Sequence, residues 1–328
     1  LHRRRHSFPT RRSSDLLASP HSTLEELFLL QSVVRGLGSG NVDFRLRQSD
    51  FSADGRMKGA PWLGMPVAEI AGLDRLFVVG SFFRKDHPLV AQRVRQAVKK
   101  GLKVSALNPA FDDWQFAVQN QVCVAPSEMS TALAKVAKAL VEQGGVALSP
   151  EFQAVVDGVQ VDDEALAIAR SLGSGRRVAV WIGNYAVQHQ EGAALHALAS
   201  EVARLCGARF GVLGEAANSV GGYVAGAVPF GDVAGAVPFG DVSGKNASEM
   251  LASPLKAYML LGLEPEFDLK DAVSARKAFG SAEMVVMLTP FKQQNALEYA
   301  DVMLPVAPFT ETSGTFVNIE GRVQSFSG

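Results

Sequence analysis

The stretch that most constrains the fold is residues 74–109, which read DRLFVVGSFFRKDHPLVAQRVRQAVKKGLKVSALNP. It begins with a continuous apolar run that stops at Gly80, as strands buried on both faces do. Val90, Val94 and Val98 then recur at helical spacing, with two lysines and a glycine as the stop signal. A second apolar run follows. Strand, helix and strand in this order predict a right-handed βαβ unit, and therefore a parallel sheet.

The same order of elements restarts after residue 175. RRVAVWIGN and ARFGVLG have the pattern of buried strands, and a helix is predicted between them at Glu191–Leu205. Three more apolar strands follow between residues 256 and 308. Near the other end of the chain, Ser22 and Glu25 form a capping-box pattern that predicts a helix at 23–36.

We therefore predict the α/β class, with two doubly wound, Rossmann-like parallel-sheet units. The predicted boundaries are 17–142 for the first unit, 143–175 for a connecting segment, and 176–328 for a second unit that is truncated at its C-terminal end.

Residues 1–16, LHRRRHSFPTRRSSDL, do not fit this pattern. A targeting signal needs an apolar segment after Arg11 and Arg12, and polar residues follow instead. The segment resembles a translated sequencing adapter fused to a truncated gene, so we predict that 1–16 is non-native and disordered. VAGAVPFGD occurs at 224–232 and again at 233–241. One repeat is too short for a solenoid, and we interpret it as a duplicated loop.

Composition excludes several classes of function. The apolar runs are strand-sized, far below the roughly 20 residues of a membrane span, so no direct membrane insertion is expected. Five arginines fall within the first 14 residues of a chain whose net charge is −1, so the remainder is acidic and no nucleic-acid surface is predicted. Cys123 and Cys206 are too far apart for a CxxC site, and both are interpreted as small buried residues.

Ligands of open parallel sheets bind beyond the carboxyl ends of the strands. That rule selects four segments: 79–88, 181–190, 261–268 and 310–322. Each places glycine or a small polar residue after a strand, although such a glycine more often marks only a tight turn. Neither GxGxxG nor GxxxxGK[ST] follows the first strand of either unit, so the usual nucleotide-binding motifs are absent.

No residue type or spacing indicates a catalytic centre. His87, His189 and His196 are interpreted as capping or surface residues. Glu311 and Glu320 could pair as carboxylates, but nothing in their spacing supports it. HExxH, a cysteine cluster and a nucleophile elbow are all missing, so we predict no catalytic and no metal-ligating residue.

Several stretches resemble the molybdopterin oxidoreductase superfamily, in the order in which that superfamily has them. They are STLEELFLLQSVVRGLGSGNVDFRLRQS, FVVGSFFRKDHPLVAQRVRQAVKKGLKVSALNP, KAYMLLGLEP and ADVMLPVAPFTETSGTFVNIEGRVQ. RLRQSDF, GEAANSVGGY and APFTETSGTFVN are most similar to the family of large iron–sulfur subunits of bacterial NADH:quinone oxidoreductase, respiratory complex I.

The resemblance implies a set of residues around a pterin cofactor cradle, which we expect to be vestigial. These are Gly80, Ser81, Gly183, Asn184, Gly262, Glu264, Asn318, Glu320 and Arg322. Leu263 and Glu264 stand where cofactor-binding members have Glu and Asn, and Phe82 and Phe83 stand where small or amide residues are expected. We expect Asn318, Glu320 and Arg322 to hydrogen-bond the protein's own backbone.

The resemblance also implies a function. It indicates a fragment of the peripheral-arm subunit that scaffolds electron transfer from NADH to quinone, with the iron–sulfur clusters held in an N-terminal region that is not present. No cofactor would be bound by the fragment itself. The implied partners are other peripheral-arm subunits, at the cytoplasmic face of the bacterial inner membrane. A truncated catalytic enzyme of the formate dehydrogenase or nitrate reductase type is the second hypothesis, and a free nucleotide-binding module is the third.

Overall fold

The computed structural model of the chain describes residues 14–56, 59–144, 146–230 and 244–328. They divide into two compact units. The inserted unit spans Pro61–Glu215, and the terminal unit combines the described residues up to Ala60 with those of Ala216–Gly328.

The strands among the described residues are β1 (Ser14–Ala18), β2 (Val42–Asp43), β3 (Arg75–Val79), β4 (Lys103–Asn108), β5 (Asn120–Cys123), β6 (Val178–Ile182), β7 (Arg209–Val212), β8 (Ala257–Leu261), β9 (Met284–Thr289), β10 (Val302–Pro305), β11 (Gly314–Val317) and β12 (Val323–Phe326). The α-helices are α1 (Leu24–Gly36), α2 (Phe83–Asp86), α3 (Pro88–Val98), α4 (Met129–Glu142), α5 (Gln153–Asp157), α6 (Asp163–Gly173), α7 (Asn184–Gln188), α8 (Gly192–Leu205), α9 (Ser219–Val224), α10 (Ala247–Ala252), α11 (Pro265–Asp268) and α12 (Ala272–Ser281). No helix in the described part of the chain is both long and apolar enough to span a membrane.

The inserted unit contains a parallel sheet with the strand order β5-β4-β3-β6-β7. Its middle strands are buried on both faces, with every residue of β6 inaccessible to solvent or nearly so. Helices α4, α6 and α8 bury their apolar faces in the same core as the sheet, through residues such as Leu133, Ile168 and Leu198. This is the doubly wound arrangement that the apolar runs predicted.

The terminal unit contains a second parallel sheet, with the order β10-β9-β8-β1-β2. An antiparallel hairpin of β11 and β12 belongs to the same unit. Leu17 and Tyr258 lie on adjacent strands of its core, and Phe279 of α12 packs edge-on against the Tyr258 ring with the ring centroids 4.9 Å apart. The α/β class with two parallel sheets is confirmed.

The predicted domain boundaries differ from this division. The sequence placed β6 and β7 with the later strands, in a unit spanning 176–328. In the structure β6 pairs with β3, from Arg75↔Val178 to Val79↔Ile182, and β8 pairs with β1. Residues 61–215 are therefore an insertion between β2 and β8. Apolar runs reveal where strands occur, but not which strands exchange hydrogen bonds.

Two local predictions near the start of the chain are also corrected. Ser14–Ala18 forms β1, so the predicted non-native segment cannot extend to residue 16 as a disordered stretch; residues 1–13 lie outside the described part. The α1 capping box uses Thr23 and Glu26, one residue later than predicted, because Thr23 accepts from the Glu26 amide at 3.2 Å and Glu26 accepts in return at 2.8 Å. The second copy of the nine-residue repeat also lies outside the described residues.

A buried ion network fixes the loop after β2 in the terminal unit. The Arg45 guanidinium is 2.8 Å from Asp43 and 2.6 Å from Asp54, and it also lies 4.8 Å from the Phe51 ring centroid. Asp43 is fully buried and additionally accepts from the Ala247 amide at 3.0 Å. Removing the guanidinium would leave two carboxylates without their counter-charge, which is costly inside a protein.

Candidate functional site

Four of the predicted site residues meet at one point of the inserted unit. The strand order reverses between β3 and β6, and this switch point is where ligands of doubly wound sheets bind. Gly80 and Ser81 directly follow β3, and Gly183 and Asn184 directly follow β6. The structure therefore brings together the two segments that the sequence selected separately.

The two loops are packed directly against one another. A Cβ added at Gly183 would lie 2.2 Å from the Ser81 Cβ, and one added at Gly80 would lie 2.6 Å from the Ala186 Cβ. Gly80 also has a φ of +59°, which favours glycine. These glycines allow one loop to approach the other, so the space above them is filled by the chain itself.

The amide N–H groups of these loops are engaged as well. Gly80 donates to the Leu107 carbonyl and Gly183 to the Val79 carbonyl, both at 2.9 Å. The Ser81 amide donates to Asn108 Oδ1 at 2.9 Å, and Asn108 Nδ2 donates back to the Ser81 carbonyl. A phosphate group would find these three donors already satisfied. Asn108 was not predicted, although its position at the end of β4 could have suggested it.

Two polar atoms at this point have no hydrogen-bond partner among the described residues. They are Ser81 Oγ and Asn184 Oδ1, and Ser81 is completely buried. An unpartnered buried hydroxyl costs free energy. Its burial also places it out of reach of any ligand that binds from solvent.

The two phenylalanines that follow Ser81 have different surroundings. Phe83 is buried and packs against Trp114 and Trp181, with ring centroids 5.6 Å and 6.2 Å away. Phe82 is half-buried and lies edge-on to Tyr185 at 6.4 Å. Phe83 is thus a core residue, and Phe82 lies beside Tyr185 of α7.

His87 is buried rather than a surface residue, which corrects its predicted role. Its Nε2 lies 2.7 Å from the Gly214 carbonyl oxygen, and its side chain makes no capping hydrogen bond to α3. Burial lowers the pKa of His87, so the ring is held neutral and donates Nε2–H to that carbonyl. Because Gly214 lies just after β7, His87 joins a third loop to this edge of the sheet.

The other two histidines and the cysteines have structural surroundings. His189 Nδ1 accepts from the Glu191 amide at 3.0 Å and makes no side-chain cap to α8, and the His196 ring packs edge-on against Phe210. Cys123 and Cys206 are free and half-buried. Burial raises the pKa of the Cys206 thiol to about 11.

The switch point of the terminal unit lies between β1 and β8. Gly262 follows β8 with a φ of +61°, and its amide donates to the Leu288 carbonyl at 2.8 Å. A Cβ added here would lie at ordinary contact distances, 3.5 Å from Ser22 Oγ and 3.7 Å from Ser19 Cβ. Glu264 is exposed, and its amide donates to Asp268 Oδ2. Leu263 is buried in the core. A methyl group would therefore fit at Gly262 without a clash, in contrast to Gly80 and Gly183 of the inserted unit.

The three predicted residues of the last segment lie together at the tip of the β11–β12 hairpin. Asn318 Oδ1 accepts from the amides of Glu320 and Arg322, at 3.1 Å and 2.9 Å. Arg322 Nε is 2.8 Å from Glu320 Oε1. Asn318 therefore hydrogen-bonds the local backbone, as expected, whereas Glu320 and Arg322 form an ion pair with each other.

A residue that sequence reasoning missed, Asn218, holds this hairpin in the terminal unit. It is completely buried, accepts from the Val317 amide at 2.9 Å, and donates to the Ser22 carbonyl at 2.8 Å. Glu25 accepts from the Thr315 amide at 2.9 Å. Among the residues that the structure describes, no three His, Cys, Asp or Glu side chains are grouped to hold a metal ion.

Two parallel sheets of five strands each, with glycine-containing loops at the carboxyl ends of their strands, define a two-unit α/β protein. A sequence profile of the molybdopterin oxidoreductase family matches residues 9–328, and the chain belongs to that family.

Individual relatives agree with this assignment. The chain is 27% identical to the G subunit of the NADH-quinone oxidoreductase of Streptomyces coelicolor, over 97% of the chain and 40% of that protein. It is 23% identical to the F420-dependent formate dehydrogenase 1 subunit alpha of Methanococcus maripaludis, over 94% of the chain and 53% of the relative. The chain thus spans only about half, or less, of these relatives.

A solved structure has a similar fold. The formyltransferase/hydrolase complex FhcABCD of Methylorubrum extorquens includes a chain that superposes with a TM-score of 0.63 at 14% identity. The superposition covers 95% of this chain and 85% of that one. At this level of identity the likeness concerns the fold alone.

Proposed function

We propose that the chain is a scaffold portion of the large peripheral-arm subunit of a bacterial NADH:quinone oxidoreductase. It contributes no redox step itself and supports transfer from NADH to quinone through iron–sulfur clusters held elsewhere. Its partners are the other peripheral-arm subunits, at the cytoplasmic face of the inner membrane. Family membership and the similarity to the NADH-quinone oxidoreductase relative support this proposal.

The closed cradle of the inserted unit carries the proposal. A pterin cofactor with phosphate groups needs free backbone donors and open space above the glycines. At Gly80, Ser81 and Gly183 the donors bond to the chain itself, and the two loops occupy the space. The residues at this switch point do not fit the cofactor that the family name implies.

The pKa of the Cys206 thiol also supports a scaffold role. Metal and cluster ligation requires a thiolate, and a raised pKa disfavours it. The Cys206 thiol donates to the Val202 carbonyl at 3.1 Å, and burial raises its pKa to about 11. Cys206 is therefore a poor ligand.

The test is the molybdenum and pterin content of the purified chain, expressed in a host that makes the cofactor. A catalytic family member expressed in the same cells is the loading control. We expect molybdenum and pterin near background in this chain and near stoichiometry in the control. Stoichiometric molybdenum in this chain would overturn the proposal in favour of a truncated catalytic oxidoreductase, with the loop at Gly262, which is less tightly packed than those at Gly80 and Gly183, as the first place to look.

A further inference from the structure

Cations gather at the opposite edge of the inserted unit's sheet, where its strands begin. Arg75 starts β3 and Arg209 starts β7, while Arg176 and Arg177 directly precede β6. A cavity of about 320 Å³ opens here, lined by Lys100, Arg176 and Arg177 among others. A second cavity of about 520 Å³ adjoins it and shares the two arginines.

Some charged groups at this edge already form hydrogen bonds or ion pairs with neighbouring residues. Arg75 donates to the carbonyls of Asp74 and Ser171, and Arg209 lies 2.6 Å from Glu69. Asp74 Oδ2 accepts from the backbone amides of Arg176 and Arg177, at 3.2 Å and 3.0 Å. Asp74 is the carboxylate that lines the smaller cavity, together with Arg75, Lys100, Arg176 and Arg177, so it offsets only one of the four cations there.

Besides Arg75, three cations line the smaller cavity: Lys100, Arg176 and Arg177. The side chains of Lys100 and Arg176 are exposed and make no hydrogen bond or ion pair with the described residues. The closest approach of Arg177 to a carboxylate is 3.8 Å, at Asp74. The Arg177 guanidinium lies over Gly72, where an added Cβ would be 2.8 Å from Nη1.

A helix dipole accounts for the position of only one of these three cations. Lys100 follows the last turn of α3, where a cation is favourable. Arg176 and Arg177 lie beyond the end of α6 at Gly173, past the last turn in which the dipole acts. Asp74 offsets one of the positive charges beside this cavity, and the excess of like charges that is left repels itself, so a bound anion would relieve that repulsion.

We propose that the cavity lined by Lys100, Arg176 and Arg177 binds a compact polyvalent anion, a phosphate or diphosphate group. Guanidinium groups bind phosphate oxygens in pairs, and a lysine adds a point charge. A volume near 320 Å³ lies at the small end of the range for ligand cavities, which favours a compact anion over an extended one. This site is at the edge of the sheet opposite the cofactor cradle and does not rest on the function proposed above.

Titration calorimetry of the full chain with inorganic pyrophosphate tests the site, against sodium chloride at matched ionic strength. We expect saturable binding of one pyrophosphate per chain, weakened roughly tenfold or more in the R176Q/R177Q double variant. That variant keeps the backbone amides that bind Asp74, so it retains the fold, which circular dichroism checks. The control K270Q/K277Q removes the same charge from exposed positions of α12 and its preceding turn, and should bind as the wild type does.

Three outcomes would overturn the proposal. The first is a heat of titration with pyrophosphate that is no larger than the heat measured with sodium chloride at equal ionic strength. The second is equal weakening in both double variants, which would mean that net charge alone attracts the anion. The third is tighter binding of a heptaglutamate peptide than of pyrophosphate, which would identify the edge as a surface for acidic proteins.

Discussion

Replacing Asp15 by asparagine is expected to stabilise the terminal unit at pH 8 and to help much less at pH 5. Asp15 lies in β1, an interior strand of its sheet, directly opposite Tyr258. It is completely buried, and neither carboxylate oxygen has a hydrogen-bond partner among the described residues. Burial raises its pKa to about 7, and the Asn41 amide and the Lys245 ammonium only partly oppose this rise.

The magnitude follows from the difference between the folded and unfolded pKa values. The ordinary value is 3.8 and the folded value about 7, and each pKa unit corresponds to about 1.4 kcal/mol. The folded state therefore holds its proton more tightly than the unfolded state. Stability is greatest below pH 4, declines as the pH rises toward 7, and is lower by roughly 4 kcal/mol above that.

Asparagine removes the ionisation and keeps the shape of the side chain. It still buries an amide without partners, which costs about 1–3 kcal/mol. We therefore expect a net gain of about 1–3 kcal/mol at pH 8, and a gain smaller by roughly 2–3 kcal/mol at pH 5.

Thermal unfolding of wild type and D15N, followed by calorimetry from pH 5 to pH 8.5, measures this difference. A change of 1 kcal/mol shifts the midpoint by roughly 2–4 °C in a domain of this size. D157N is the matched control, because Asp157 is an exposed aspartate at the end of α5. A gain in D15N that is independent of pH, or a loss at pH 8, would refute the reasoning.

Three further substitutions test the packing that surrounds the candidate sites. Arg45→Gln leaves the buried Asp43 and the half-buried Asp54 without their cation, and urea unfolding should show a loss of about 3–5 kcal/mol at pH 7. Gly183→Ala places a methyl group 2.2 Å from the Ser81 Cβ, so its midpoint should fall by several degrees, while the control Gly36→Ala, with nothing within 4 Å, should be neutral or slightly stabilising. Asn218→Leu removes the amide that holds the β11–β12 hairpin, and hydrogen exchange should show loss of protection there before the parallel sheet is affected.

The strands of this fold were predictable because most of them are buried on both faces. Such strands are continuous apolar runs that end at glycine, as β3 and β6 do. The pairing of the strands was not predictable, because a run carries no information about its neighbours. Strand β1 was not predicted, for a different reason: Asp15 interrupts its apolar pattern, and the adjoining residues resemble a translated sequencing adapter.

The candidate site was predictable in its position and less so in its chemistry. The rule that ligands bind beyond the carboxyl ends of strands selected Gly80 and Gly183 separately, in different predicted units, and the pairing of β3 with β6 brings them to one switch point. Applied to β4, the same rule could have selected Asn108, but it could not locate Asn218, which lies in an irregular segment. Both act through hydrogen bonds between residues far apart in sequence, and no local pattern records those.

A glycine directly after a strand can be required for more than one physical reason. Gly183 is required because another loop passes within contact distance, whereas Gly262 is required by its left-handed backbone conformation, and an added Cβ there would meet its neighbours only at ordinary contact distances. The two glycines therefore differ in the room that they leave beside the backbone. In a sequence, both glycines appear as a glycine after an apolar run. Only the structure shows which residues lie where the glycine side chain would be, and therefore whether the position is open to a ligand or closed by packing.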